Sequence, residues 1–193
     1  PREFMEWLTD PVRNGGGALF DFGCYGANLA TYLLGGQRPL SVTAVTQKLK
    51  SDPVYQRVDD EATIVVTYPK AQVIIQASWN WPFSRKDMEI YGEQGQYLTV
   101  ERDMYRMRTL HSAETLGKAE PIVAPMQDSI SYLAAVVRGE VSPSGPSSLK
   151  VNMIAAEILD AARRSAEQGV AIPLADVTPP SGFKPLFDFP VRD

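Results

Sequence analysis

Asp21, Tyr25, Asn28 and Tyr32 follow one another at spacings of four, three and four residues. At 100° per residue these positions fall within about 60° of one another, so a helix through them carries an acid, an amide and two phenols on one stripe. Such groups accept hydrogen bonds, exchange protons and orient their neighbours, which makes this stripe the place in the chain to look for chemistry. Phe22, Leu29 and Leu33 form an adjoining apolar stripe that would anchor the helix to a core. Upstream, Gly15-Gly16-Gly17 permits positive φ and the close approach of another chain segment or a ligand, and Leu34-Gly35-Gly36 stops the helix. A plainer reading uses the same residues. An Asp near a helix start caps it or complements its dipole, and a Tyr one turn later packs its ring with the hydroxyl at the surface. Spacing alone does not choose between the two.

Composition narrows the classes. The chain has 193 residues, 44% of them apolar and 22% charged, enough to bury a core as one domain over residues 1–178, followed by a Pro-rich tail at 179–193 that begins at Pro179-Pro180. A net charge of −4 without a Lys/Arg cluster argues against a nucleic-acid surface. One cysteine, Cys24, forbids an internal disulfide and is expected as a small buried hydrophobe, while one histidine, His111, is expected on a surface strand. No metal site is expected from so few soft ligands. No apolar run approaches a membrane span, so no membrane partner is expected and a cytoplasmic location is the working assumption.

Six β-rich runs follow the first helix: 40–49, 62–68, 73–81, 88–92, 97–101 and 105–110. Their short connections predict antiparallel neighbours in one mostly antiparallel sheet. Thr63, Val65 and Thr67 alternate with Ile64, Val66 and Tyr68, which predicts one face on a core and one open or covered from outside. Apolar residues at helical spacing predict helices over 126–138 and 147–168, with Ser147 as a cap and Gly139 and Gly169 as stops. The expected fold class is therefore α+β, an open-faced antiparallel sheet with helices on one face. Neither a G-x-G-x-x-G nor a G-x-x-x-x-G-K-[ST] pattern follows a strand, so no nucleotide fold is expected within this sequence.

Taken in order, the segment from Trp7 to Asn28, Ala77-Ser78-Trp79-Asn80-Trp81-Pro82, Met88-Glu89-Ile90-Tyr91-Gly92 and the helix end Ser165-Ala166-Glu167-Gln168-Gly169 resemble the C-terminal domain of the Gfo/Idh/MocA oxidoreductases. The resemblance covers nearly the whole chain. It implies a longer parent protein, consistent with a sequence that begins at Pro1, whose N-terminal Rossmann domain binds NAD or NADP and supplies a catalytic lysine from a Glu-Lys-Pro motif. This chain alone is then expected to be inactive and to hold no cofactor.

The family's helix start reads GGG-x-L-x-D-x-G-x-H-x-x-D. Its histidine is Tyr25 here and its second aspartate is Asn28, which resembles the glucose-fructose oxidoreductase and dihydrodiol dehydrogenase branches, where a phenol takes the acid/base role. A phenol ionises near pH 10 in water and an imidazole near about 6.5, so a tyrosine in that place needs a cation beside it, which the family's lysine would supply. The resemblance thus implies Tyr25 and Asp21 as catalytic residues, Asp21 accepting a substrate hydroxyl and Asn28 orienting Tyr25 or a second hydroxyl. The substrate would be a sugar, polyol or related hydroxyl or carbonyl compound. Trp79 and Trp81, two apart on an expected strand, point to one face, either as core or interface packing or as a stacking surface for a sugar. The open sheet face is expected to make a homodimer or tetramer. The alternative is a non-catalytic module that uses this face for dimerisation or partner binding.

Overall fold

The structure is a computed structural model that describes residues 1–174; the expected tail at 179–193 and the boundary at 178 lie outside the described residues. In chain order the elements are α1 (Arg2–Leu8), α2 (Ala18–Asp21), α3 (Gly23–Leu33), β1 (Ser41–Gln47), β2 (Glu61–Thr67), β3 (Gln72–Ser78), β4 (Asp87–Tyr91), β5 (Tyr97–Glu101), β6 (Met104–Arg108), β7 (Thr115–Lys118), α4 (Ser129–Val137), α5 (Leu149–Gln168) and β8 (Ile172–Pro173). The described residues form two compact units, one of Pro1–Asn80 with residues 145–174, the other of Trp81–Ser144.

In the first unit an antiparallel sheet runs in the order β3-β2-β1-β8. The alternation read in β2 decides its faces. Ala62, Ile64, Val66 and Tyr68 are buried, and Val42 and Ala44 of β1 join them beneath α3 and α5. Fully burying a side chain such as Ile64 or Ile158 stabilises the fold by about 1.5–3 kcal/mol each. α5 presents Val151, Ile154, Ala155, Ile158, Leu159 and Ala162 to this core at spacings of three and four. Its cap is Ser148, whose hydroxyl accepts from the Val151 N–H, one residue beyond the expected Ser147, and it ends on Gly169 at φ 69°. Ser165, fully buried on α5, accepts from the Ala44 N–H at 2.9 Å and donates to the Val170 carbonyl at 2.6 Å. The short β8 pairs only with Ser41 and Val42, so the helix supplies the partner that β1 lacks further along.

In the second unit β4-β5-β6-β7 form an antiparallel meander. Tyr105 lies opposite Gly117, and a Cβ on Gly117 would fall 2.2 Å from the phenol ring, so the aromatic covers the gap the glycine leaves in the sheet. α4 is capped by Asp128, whose carboxylate accepts from the Ser131 N–H at 2.8 Å.

The α+β class with antiparallel sheets is as expected, but the strands divide between two sheets of four instead of lying in one sheet of six. The run 73–81 leaves its ladder at Ser78. There the Ser78 hydroxyl accepts from the Asn80 N–H at 3.0 Å, a side-chain turn that competes with strand pairing, and the next strand begins only at Asp87. β7 and the two-residue β8 are additional strands. Of the two long helices only α5 packs on the first sheet, and α4 belongs to the second unit. His111 is exposed in the turn between β6 and β7, not on a strand, and Cys24 is half-buried against the core.

Candidate active site

The glycine run approaches the sheet, as its composition suggested. Gly15 takes φ 88°, and a Cβ on Gly17 would fall 1.9 Å from the Asp59 carbonyl oxygen. This approach lets the Asp59 carbonyl accept from the Ala18 N–H at 3.0 Å, and the Asp59 carboxylate accept from the Leu19 N–H at 2.7 Å. A residue 40 positions away thus satisfies the free N–H groups of α2. Burial pushes the Asp59 carboxyl above its usual range, opposed by the Leu19 N–H and other backbone donors.

One continuous helix was expected from here to Leu34, but it is interrupted at Phe22, which separates α2 from α3. Asp21 closes the first segment and Tyr25 stands in the first turn of the second, its N–H donating to the Phe22 carbonyl at 3.3 Å. The half-buried Asp21 carboxylate accepts from the Trp79 indole N–H at 2.8 Å. One such bond uses one of a carboxylate's roughly four acceptor positions, so Asp21 can take a ligand hydroxyl as well.

Trp79 is itself held from two sides. Its backbone N–H donates to the Asp60 carbonyl at 2.9 Å, and its ring makes a T-shaped contact with Tyr55 at a centroid distance of 6.1 Å. The Lys50 ammonium lies 5.3 Å from the Tyr55 ring centroid. Behind this wall Asp60, fully buried, accepts from the N–H groups of Leu49 and Lys50 and from the Asn80 amide. Burial alone would push the Asp60 carboxyl up. The bonds from Asn80, Lys50 and Leu49 outweigh it and hold the carboxyl below its usual range.

Tyr25 is 58% exposed, its ring tilted against Phe22 at 6.5 Å. Asn28 donates both amide hydrogens across the unit, to the Pro146 carbonyl at 2.9 Å and to Asn152 Oδ1 at 3.0 Å, so its amide nitrogen joins α3 to the start of α5. Neither tryptophan is on β3, which ends at Ser78: Trp79 directly follows the strand. Trp81 lies in the second unit, where the Arg85 guanidinium covers its ring at 5.1 Å. The structure therefore joins Asp21 to Trp79, places Tyr25 one turn past Asp21, and assigns Asn28 and Trp81 other contacts. Lys50, Tyr55, Asp60 and Asn80 were not anticipated as parts of this wall. Only Asp52-Pro53, a capped turn ahead of Tyr55, gave a local sign of ordered structure there.

The described residues do not fit a dinucleotide. The glycine run follows a turn and not a strand, its open space at Gly17 is filled by the Asp59 carbonyl, and both sheets are antiparallel. Among the described residues no group of three His, Cys, Asp or Glu could hold a metal ion, and no helix is long and apolar enough to cross a membrane.

Solved structures share this fold. Aldose-aldose oxidoreductase from Caulobacter crescentus, complexed with glycerol, superposes with a TM-score of 0.70 at 21% identity, over 87% of this chain and 50% of that one. An inositol dehydrogenase homolog from Azotobacter vinelandii, complexed with NAD+, gives 0.70 at 14% identity over 89% and 52%. An oxidoreductase from Agrobacterium radiobacter, in complex with NAD+, L-tartaric acid and magnesium, gives 0.62 at 17% over 79% and 48%. The chain spans about half the length of these structures. Comparison with curated protein sequences gives no match. Residues 1–98, which contain the glycine run, Asp21, Tyr25 and Trp79, match the model of the GFO/IDH/MocA C-terminal domain, and the chain accordingly belongs to the Gfo/Idh/MocA family as a C-terminal domain of that kind.

Proposed function

We infer that this chain is the substrate-binding and assembly domain of an NAD(P)-dependent oxidoreductase acting on a sugar, polyol or related hydroxyl or carbonyl compound. The observation that carries the reading is the half-buried Asp21 carboxylate, held by the Trp79 indole one turn before the exposed Tyr25, at the glycine-rich entry to α3. An ionised carboxylate accepts and cannot donate, so Asp21 suits a substrate that presents a hydroxyl. The phenol oxygen of Tyr25, in its ionised form, is the group that would take the proton of a substrate hydroxyl, and in its neutral form return one to a carbonyl oxygen. Because the described residues do not fit a dinucleotide, NAD or NADP would be bound by another part of a longer protein. The small polyhydroxylated ligands found with the neighbours, glycerol and L-tartaric acid, are of the substrate class inferred here.

The test is Tyr25→Phe in the full-length protein. Turnover should fall by roughly 10² to 10⁴ fold with cofactor affinity almost unchanged, since only the proton-carrying hydroxyl is removed. Near wild-type turnover with chemistry rate-limiting would remove Tyr25 from the mechanism. It would favour the second reading, a non-catalytic module acting through its sheet. That reading draws on the outer face of the first sheet, where Val45 and Ile74 are each 63% exposed.

A further inference from the structure

We propose that Trp79 is a positioning residue for Asp21: its indole N–H, fixed by the Asp60-anchored strand end and the Tyr55 ring, sets the direction in which the Asp21 carboxylate meets a substrate hydroxyl. The inference rests on the proposed role of Asp21, and it gives Trp79 a hydrogen-bonding role beside the packing or stacking roles that the sequence suggested.

Three observations support it. The Trp79 indole and the Asp21 carboxylate meet at 2.8 Å across 58 positions of sequence, a charge-assisted bond in partly buried surroundings. Asp21 lies at the break between α2 and α3, where the helix backbone alone does not fix a side chain through a regular preceding and following turn. The indole is immobilised from behind. The Trp79 backbone N–H donates to the carbonyl of Asp60, whose carboxylate is committed to Leu49, Lys50 and Asn80, and the Tyr55 ring packs against the indole in a T-shaped contact. A flat side chain with one donor at its rim, gripped at its base and packed by a second ring, is suited to orient a carboxylate and leaves the remaining acceptor positions of that carboxylate for a ligand.

The experiment is a double-mutant cycle in the full-length protein, assayed with the most rapidly oxidised compound from glucose, xylose, myo-inositol and glycerol. Trp79→Phe keeps a ring against Tyr55 and removes the donor. It should lower kcat/KM by roughly 10- to 100-fold, the loss expected for one hydrogen bond to a charged group. Asp21→Asn should lower kcat/KM as well, and Trp79→Phe added to Asp21→Asn should cost less than threefold more, because the tryptophan acts through the acid. Trp79→His, which restores a ring N–H, should recover part of the loss. In the chain itself, the Trp79 indole proton resonance should move upfield in Asp21→Ala while those of Trp7 and Trp81 stay in place. A wild-type kcat/KM in Asp21→Asn would overturn the proposed site and leave the indole resonance to report on the contact alone. Loss in Asp21→Asn with wild-type kcat/KM in Trp79→Phe, or additive losses in the double variant, would overturn the positioning role while sparing the site. Should Trp79→Phe fail to fold, Trp79→His and the resonance shift decide the question: an inactive but folded Trp79→His, or an unmoved resonance, would count against the proposal.

Discussion

Asp60 illustrates what a buried acid can do without touching a ligand. It has no contact with water, yet its carboxyl is held below the usual range because two backbone N–H groups and the Asn80 amide converge on it. A carboxyl whose folded value is depressed stabilises the fold fully above its unfolded value, about 3.9, and that contribution is lost as pH falls through the lower folded value. Asp60→Asn should therefore lower the urea midpoint strongly at pH 7, and the gap to wild type should narrow as pH falls toward 2. A gap that stays constant over this range would show that the lost bonds, and not the charge, dominate. Asp59, its sequence neighbour, has the opposite environment: burial prevails and its carboxyl is raised. Its ionisation thus subtracts from stability as pH rises from the unfolded value through the folded one. Two adjacent aspartates carry opposite signs because one faces three donors and the other is mainly desolvated.

At the scale of elements, the entry to α2 depends on how closely two backbones approach. The absent side chain of Gly17 leaves room for the Asp59 carbonyl, and that of Gly26 leaves room for Ile75, whose side-chain atoms would lie 2.5 Å from an added Cβ. The first obstacle is backbone, which cannot rotate away, while the second is a side chain that can. Gly17→Ala should therefore destabilise the protein by about 3 kcal/mol and Gly26→Ala by about 1–2 kcal/mol, read from urea denaturation. Equal effects would mean that the chain at Asp59 yields more readily than its hydrogen bonds to Ala18 and Leu19 suggest. The interruption at Phe22 serves the same geometry, because it lets α2 end on the sheet while α3 proceeds toward Gly35 and Gly36, which take φ of 66° and 73°.

For the molecule as a whole, the outer face of the first sheet is where the proposed assembly would form. Register places Thr43, Val65 and Ile74 in one row across three strands, and Val45, Thr63 and Gln76 in the next, an alternation of apolar and small polar side chains. As part of the proposed function this face meets a second copy, and a stable two-fold contact of this kind buries on the order of 1,600 Å². Val45→Lys together with Ile74→Lys should then shift the chain from dimer to monomer in sedimentation at micromolar concentration, with the urea midpoint extrapolated to low concentration nearly unchanged. A wild-type chain that sediments as a monomer would remove this face from assembly.

Period and punctuation made α4, α5, the run of α2 and α3 and most strands legible, whereas α1 went unread and the break at Phe22 was not foreseen. Ile64 alternating with Thr63 and Val65, the three-and-four spacing from Val151 to Ala162, and the glycines after α3, α4 and α5 are local signals that act over a few residues. The family resemblance also rested on local runs, and the match over residues 1–98 agrees with it. What tertiary structure alone decided is whatever depends on distant partners. The division into two sheets follows from Ser78 and Asn80 turning the chain out of its ladder, the commitment of Asn28 to Pro146 and Asn152 spans more than a hundred positions, and the bond from Trp79 to Asp21 spans 58. Spacing within an element records which residues share a face. Which group from another element arrives at that face is set by packing, because a side-chain hydrogen bond depends on positions accurate to a few tenths of an ångström.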